Sequence, residues 1–181
     1  MDCNPELIAA AQNNTAKLGF SDRFALHTGE LADTRFLENL RMEASPVQLV
    51  MANPPWRLVG SGRLPATEAR QKALFGDKGT FPLFASAASS LLEEDGRFAC
   101  IISPDRLQDM LAALDGAGLT PYLLQYIHKQ KTSPVSKRKH FVLIEARKGA
   151  HAKPSVAEPI ALYGPERFFT LESLAFCPFL R

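Results

Sequence analysis

"LTPYLLQYIHKQKTSPVSKRKHFVLIEARKG", Leu119 to Gly149, is the stretch whose reading decides the fold. "LTPYLLQYIH" and "HFVLIEA" both read as strands, and only a basic loop joins them. A parallel neighbour needs a crossover of about a dozen residues or more, usually helical, so these two strands pair antiparallel. Working back from there, "RFACIIS" (Arg97–Ser103) reads as a buried strand after Gly96. Pro104 and Asp105 then open a helix with Leu107, Met110, Leu111 and Leu114 on one face. Thr80–Leu92 is an amphipathic helix with Phe81, Phe84, Ala88 and Leu91 inward, and Val47–Met51 is a strand ending at Asn53. Strands alternating with helices predict a mostly parallel sheet with helices on both sides, whose last strand turns back.

The N-terminal part continues the pattern. Asn4 caps a helix, Pro5 suits its first turn, Leu7, Ile8, Ala11, Thr15 and Leu18 share a face, and Gly19 ends it. "RFALHTGE" (Arg23–Glu30) reads as a short strand running into an acidic turn. A short helix over Asp33–Met42 carries Phe36, Leu37 and Leu40. The segment from Arg57 to Lys78 reads as an irregular, arginine-bearing loop, and "PIALYG" (Pro159–Gly164) as a short last strand.

The 181 residues fit one domain, and 46% of them are apolar. No apolar run approaches the roughly 20 residues that cross a bilayer, and no secretory pattern opens the chain. Cys3, Cys100 and Cys177 are odd in number and lack CxxC spacing, which points to a reducing compartment and a cytoplasmic protein. Cys100 belongs to the core, Ser103 to a helix start. His27, His128, His140 and His151 are not spaced as metal ligands, so no metal is expected.

A formal charge of +2 hides an uneven distribution. No acidic residue lies between Asp115 and Glu145, whereas Lys129, Lys131, Lys137, Arg138 and Lys139 do. Arg57, Arg63, Arg70, Lys72 and Lys78 form a second group, broken only by Glu68 and Asp77. Either group alone reads equally well as a solvated loop; two of them beside a site for a flat ligand point to nucleic acid.

That site is "NPPWRLVGSGR", Asn53–Arg63. A proline pair alone more often just ends a strand. Here the full tetrapeptide follows an apolar strand, and the preceding strand ends on an acidic residue. At the carboxyl end of a strand in an open α/β sheet, ligands bind. The Asn53 side-chain oxygen and the Pro54 carbonyl can both accept from one NH₂ group while Trp56 lies against the ring that bears it. Such a grip suits nucleophilic attack by an exocyclic amine, through orientation and exclusion of water.

With these residues in place, the sequence resembles the class I S-adenosylmethionine-dependent amino-methyltransferases. It is most similar to the bacterial tRNA (adenine-N6) methyltransferases acting on valine tRNA. The resemblance rests on "DCNPEL" (Asp2–Leu7), "GEL" (Gly29–Leu31), "NPPWRLVGSGR" and "VLIEARKG" (Val142–Gly149). It implies a Rossmann-like α/β fold with an antiparallel C-terminal hairpin and S-adenosylmethionine as cofactor. Asp2 would accept from the ribose hydroxyls of the cofactor and Glu30 from its adenine amine, with Asn53 also counted among the cofactor-binding residues. Asn53, Pro54, Pro55 and Trp56 would hold the target base, flipped from its stack. Arg57, Arg63, Lys129, Lys131, Lys137, Arg138 and Lys139 would hold the RNA backbone.

The family's D-x-G-x-G-x-G fingerprint does not occur in these residues, and "GSGR" follows the amine-binding motif instead. Met1 and Asp2 coincide with the end of the family's second strand. The expectation is therefore a single partial domain over residues 1–181, lacking the first strand, the first helix and most of the second strand. Its unpaired sheet edges would be open to self-association. Three other amine substrates share the motif: a release-factor glutamine, an rRNA guanine and a DNA adenine. A non-catalytic nucleic-acid-binding remnant is the alternative of another class.

Overall fold

The computed structural model describes residues 1–43, 47–60, 62–130, 141–149, 153–166 and 168–177. In chain order the elements are α1 (Pro5–Lys17), α2 (Thr34–Glu43), β1 (Val47–Ala52), β2 (Arg57–Leu58), α3 (Glu68–Leu74) and β3 (Phe75–Gly76). There follow α4 (Thr80–Leu91), β4 (Leu92–Ile102), α5 (Leu107–Gly116), β5 (Leu119–Gln130), β6 (Phe141–Lys148), β7 (Ser155–Tyr163) and α6 (Leu171–Phe176).

Five strands form one sheet in the order β1-β4-β6-β5-β7. β1 and β4 are parallel, as are β5 and β7, while β6 runs antiparallel to both its neighbours. The expected hairpin is therefore present, and its returning strand is inserted between β4 and β5. β7 begins at Ser155, earlier than the sequence reading placed it, and contains Pro159. An edge strand tolerates that proline, because one side of its backbone is outside the ladder.

The core lies on one face of this sheet. Phe98, Cys100 and Ile102 of β4 stand opposite Ala146, Ile144 and Val142 of β6, and all six are buried. α4 covers them with Phe81, Ala85 and Ala88, and α5 with Met110, Ala113 and Leu114. The period-2 alternation of β4 puts Ala99 and Ile101 on the opposite face, where both are half-buried. Of the residues expected to point inward on α4, Phe81 and Ala88 are buried, while Phe84 and Leu91 are only half-buried.

Two sequence expectations are corrected. Arg23–Glu30 is not a strand: Ser21–Arg23 is a 3₁₀ turn, and the extended chain after it makes a single parallel bridge, Thr28 to Asp2. A strand needs a partner along its length, and among the described residues only Asp2 lies opposite. The arginine-bearing loop is not irregular throughout, since "EARQKAL" forms α3 and a two-stranded parallel sheet joins β2 to β3. Its charges masked a run of good helix formers.

α1 starts as expected, with the Asn4 side chain accepting from the Glu6 N–H at 2.9 Å and Pro5 in the first turn. It buries no residue, however, and packs on the Ser21–Arg23 turn.

Candidate active site

β1 and β4 are parallel neighbours with Ala52 opposite Cys100, so the residues that follow each strand emerge side by side. From β1 comes Asn53–Trp56; from β4, the 3₁₀ turn Pro104–Arg106. Asn53 is exposed, Pro54 is fully buried, and Pro55 and Trp56 are half-buried. The turn is thus anchored by its first proline and opens at the asparagine and the indole.

β3 supplies the seat behind the second proline. A Cβ at Gly76 would stand 2.7 Å from the Pro55 carbonyl oxygen and 2.6 Å from the Thr80 hydroxyl, so only glycine lets β3 approach this closely. The Asp77 carboxylate accepts from the Gly79 N–H at 2.9 Å and the Thr80 hydroxyl at 3.0 Å, fixing the start of α4 beside the motif. The Thr80 hydroxyl first, then the Gly79 N–H, hold the Asp77 carboxyl below its ordinary value of 3.8. An open depression of about 540 Å³ lies here, lined by Val59, Phe75, Gly76, Asp77, Thr80 and Leu83 among others.

The indole of Trp56 is held edge-to-face by Phe141, with ring centroids 6.3 Å apart and planes at 72°. The Arg57 guanidinium lies 5.4 Å from the indole centroid, within cation–π range. Phe141 pairs with Ile127 across the hairpin, and Lys129, exposed, is two residues further along β5. The carboxyl edge of the parallel strands therefore gathers Asn53, Trp56, Arg57 and Lys129 at one end of the sheet. Arg63 is exposed and shares a second depression, of about 420 Å³, with Arg70. Lys131, Lys137, Arg138 and Lys139 lie outside the described residues.

The Thr28 bridge brings the two expected cofactor carboxylates onto one short structure. The Asp2 N–H donates to the His27 carbonyl and the Gly29 N–H to the Asp2 carbonyl, both at 3.1 Å, so Glu30 follows directly on the strand-like pair. Asp2 is half-buried, and one of its carboxylate oxygens accepts from the Asn4 N–H at 2.8 Å. The other makes no hydrogen bond among the described residues, while Glu30 is exposed.

Sequence reading missed Arg106. Its side chain is only 7% exposed, its Nη1 donates to the Trp56 carbonyl at 2.9 Å and its Nε to the Asp109 carboxylate at 2.6 Å. The guanidinium also sits 4.4 Å from the Phe81 ring centroid. "SPDR" announced only a helix start, and nothing in the pattern marked the arginine as buried.

The chain thus has an α/β fold built on a mostly parallel sheet with one returning strand, and Asn53–Trp56 follows the carboxyl end of β1. No family model matches the chain. Over 112 residues, 61% of its length, it is 32% identical to the tRNA1(Val) (adenine(37)-N6)-methyltransferases of two Porphyromonas gingivalis strains. The chain spans 42% of the length of these relatives. Its structure superimposes on a predicted O-methyltransferase from Agrobacterium tumefaciens with a TM-score of 0.67 and 19% identity, covering 98% of this chain and 73% of that one. The similarity in sequence is thus to the tRNA-modifying group that the motifs pointed to, and the structural likeness is one of fold.

Proposed function

We propose that the protein methylates the exocyclic amine of adenine in RNA, with tRNA as the substrate and S-adenosylmethionine as the cofactor, in the cytoplasm. The observation that carries this reading is Asn53-Pro54-Pro55-Trp56 at the sheet's carboxyl edge, with the asparagine exposed and the indole fixed from beside it. The name of the curated relatives supports tRNA over the other amine substrates.

Asn53 and the Pro54 carbonyl accept the two amine protons, which turns the nitrogen lone pair outward. Trp56 sets the plane of the flipped base, at an extrusion cost of a few kcal/mol. Arg57, Arg63 and Lys129 hold the phosphates, as do Lys131, Lys137, Arg138 and Lys139. Asp2 and Glu30 hold the nucleoside part of the cofactor, which when bound supplies a methyl group on a cationic sulfur. No described helix is long and apolar enough to cross a membrane.

Incubation with methyl-labelled S-adenosylmethionine and unmodified tRNA, followed by nucleoside chromatography, tests this. The expected product is N6-methyladenosine, with Asn53→Ala about a hundredfold slower in kcat. Salt-sensitive tRNA binding with no labelled nucleoside, and no calorimetric binding of S-adenosylhomocysteine, would instead establish the non-catalytic nucleic-acid-binding alternative.

A further inference from the structure

We propose that Arg106 is a positioning residue for Trp56: by holding the Trp56 carbonyl from the neighbouring strand end, it sets the plane against which the base stacks. This rests on the adenine-binding reading above, but its first readout does not. Three observations carry it.

The first is burial. A guanidinium sheltered from water is costly unless each face and edge has a partner, and here all three partners lie on different elements. Phe81 of α4 takes its face, Asp109 of α5 its Nε, and the Trp56 carbonyl its Nη1. The second is span: Arg106 and Trp56 are 50 residues apart, and their bond ties the turn after β4 to the turn after β1. The third is geometry. Pro54 and Pro55 fix φ through the turn up to Trp56. The ψ angle of Trp56, which no ring restrains, orients the peptide that follows the indole, and the carbonyl that Arg106 holds belongs to that peptide. A lysine has one nitrogen and cannot hold Asp109 and the carbonyl in a fixed fork, so Arg106→Lys is not conservative.

Trp56 is the single tryptophan of the chain, so intrinsic fluorescence reads this position alone. The experiment compares wild type with Arg106→Met, Arg106→Lys and Asp109→Asn, the last keeping a side-chain oxygen that can still accept from Arg106 Nε at a side chain 60% exposed. Emission and acrylamide quenching are read first, then quenching by adenosine 5′-monophosphate and by a short RNA hairpin with one unpaired adenine. The expected result is a red-shifted, more quenchable Trp56 in Arg106→Met, no rescue by lysine, and a smaller shift in Asp109→Asn. Adenine affinity should fall about tenfold in Arg106→Met, equivalent to about 1.4 kcal/mol. With methyl transfer as the readout, kcat should fall more than KM rises.

Wild-type emission and adenine affinity in folded Arg106→Met would overturn the proposal, even if its melting temperature were lower. If Arg106→Met does not fold, unchanged emission in both Arg106→Lys and Asp109→Asn would overturn it. If adenine fails to quench the wild type while the variants still shift, the adenine-binding reading fails and the positioning of Trp56 stands.

Discussion

Cys100 shows how strongly one residue can record its surroundings. It is 3% exposed on the core face of β4, opposite Ile144, and burial pushes its thiol from the ordinary 9.0 up to about 12. Desolvation disfavours the thiolate, and the thiolate is the reactive form. At pH 8, maleimide should therefore label Cys3, which is exposed, and leave Cys100 untouched until denaturant is added. The sign for stability follows from the same shift. Between pH 9 and about 12 the unfolded chain has lost the Cys100 proton and the folded chain has kept it. The stability that Cys100 contributes is thus complete below pH 9 and lost as pH rises, by up to about 1.4 kcal/mol per pH unit. Urea midpoints measured from pH 8 to 11 should fall in wild type and fall less in Cys100→Ala. Rapid maleimide labelling of native Cys100 would show that β4 is not packed in solution.

At the level of elements, α1 and β4 are opposites. α1 is well specified locally, with a capping asparagine, a first-turn proline and a basic residue in its last turn, yet it buries nothing. Local signals can place a helix without anchoring it, because most helical stability in proteins comes from a packed face. Its apolar residues are at most half-buried: Leu7 is 54% exposed, and Leu18, just past its last turn, is 67% exposed. Amides of α1 should exchange with deuterium far faster than those of β4 and β6, and Asn4→Ala, which removes a cap worth about 1 kcal/mol, should speed exchange in α1 without moving the main unfolding transition. Protection of α1 equal to that of β6 would refute this. The contrast also explains what the sequence disclosed. The antiparallel pairing of β5 and β6 follows from the length of their connection, and the helix of α1 from its end signals, so both were readable. The partner of Thr28, the seat that Gly76 makes for the Pro55 carbonyl and the fork of Arg106 depend on residues distant in sequence. Of the candidate site, the Asn53–Trp56 turn could be singled out from the sequence because its residues are contiguous; Arg106, whose Nη1 meets the Trp56 carbonyl from 50 residues away, could not.

For the whole molecule, the decisive feature is that the two faces of the sheet are unequal. β1 turns Val50 and Ala52 toward the core under α4 and α5, and leaves Leu49 42% and Met51 75% exposed on the other side. The same division continues into β4, where Phe98 is fully buried and Ala99 beside it is not. Substitutions should follow the face and not the strand. Phe98→Ala removes a ring packed between β6 and the helices, and large-to-small changes of that kind cost about 3–5 kcal/mol. Met51→Ala, one strand away on the open face, should cost within about 0.5 kcal/mol, as surface changes generally do. Urea unfolding of both variants, at two protein concentrations, measures the difference. A Met51→Ala cost above about 2 kcal/mol that grows with protein concentration would mean that a second copy covers this face in solution. A small cost at both concentrations would leave the stability of the chain resting on the core under α4 and α5, beside which Arg106 and Gly76 meet the Asn-Pro-Pro-Trp turn.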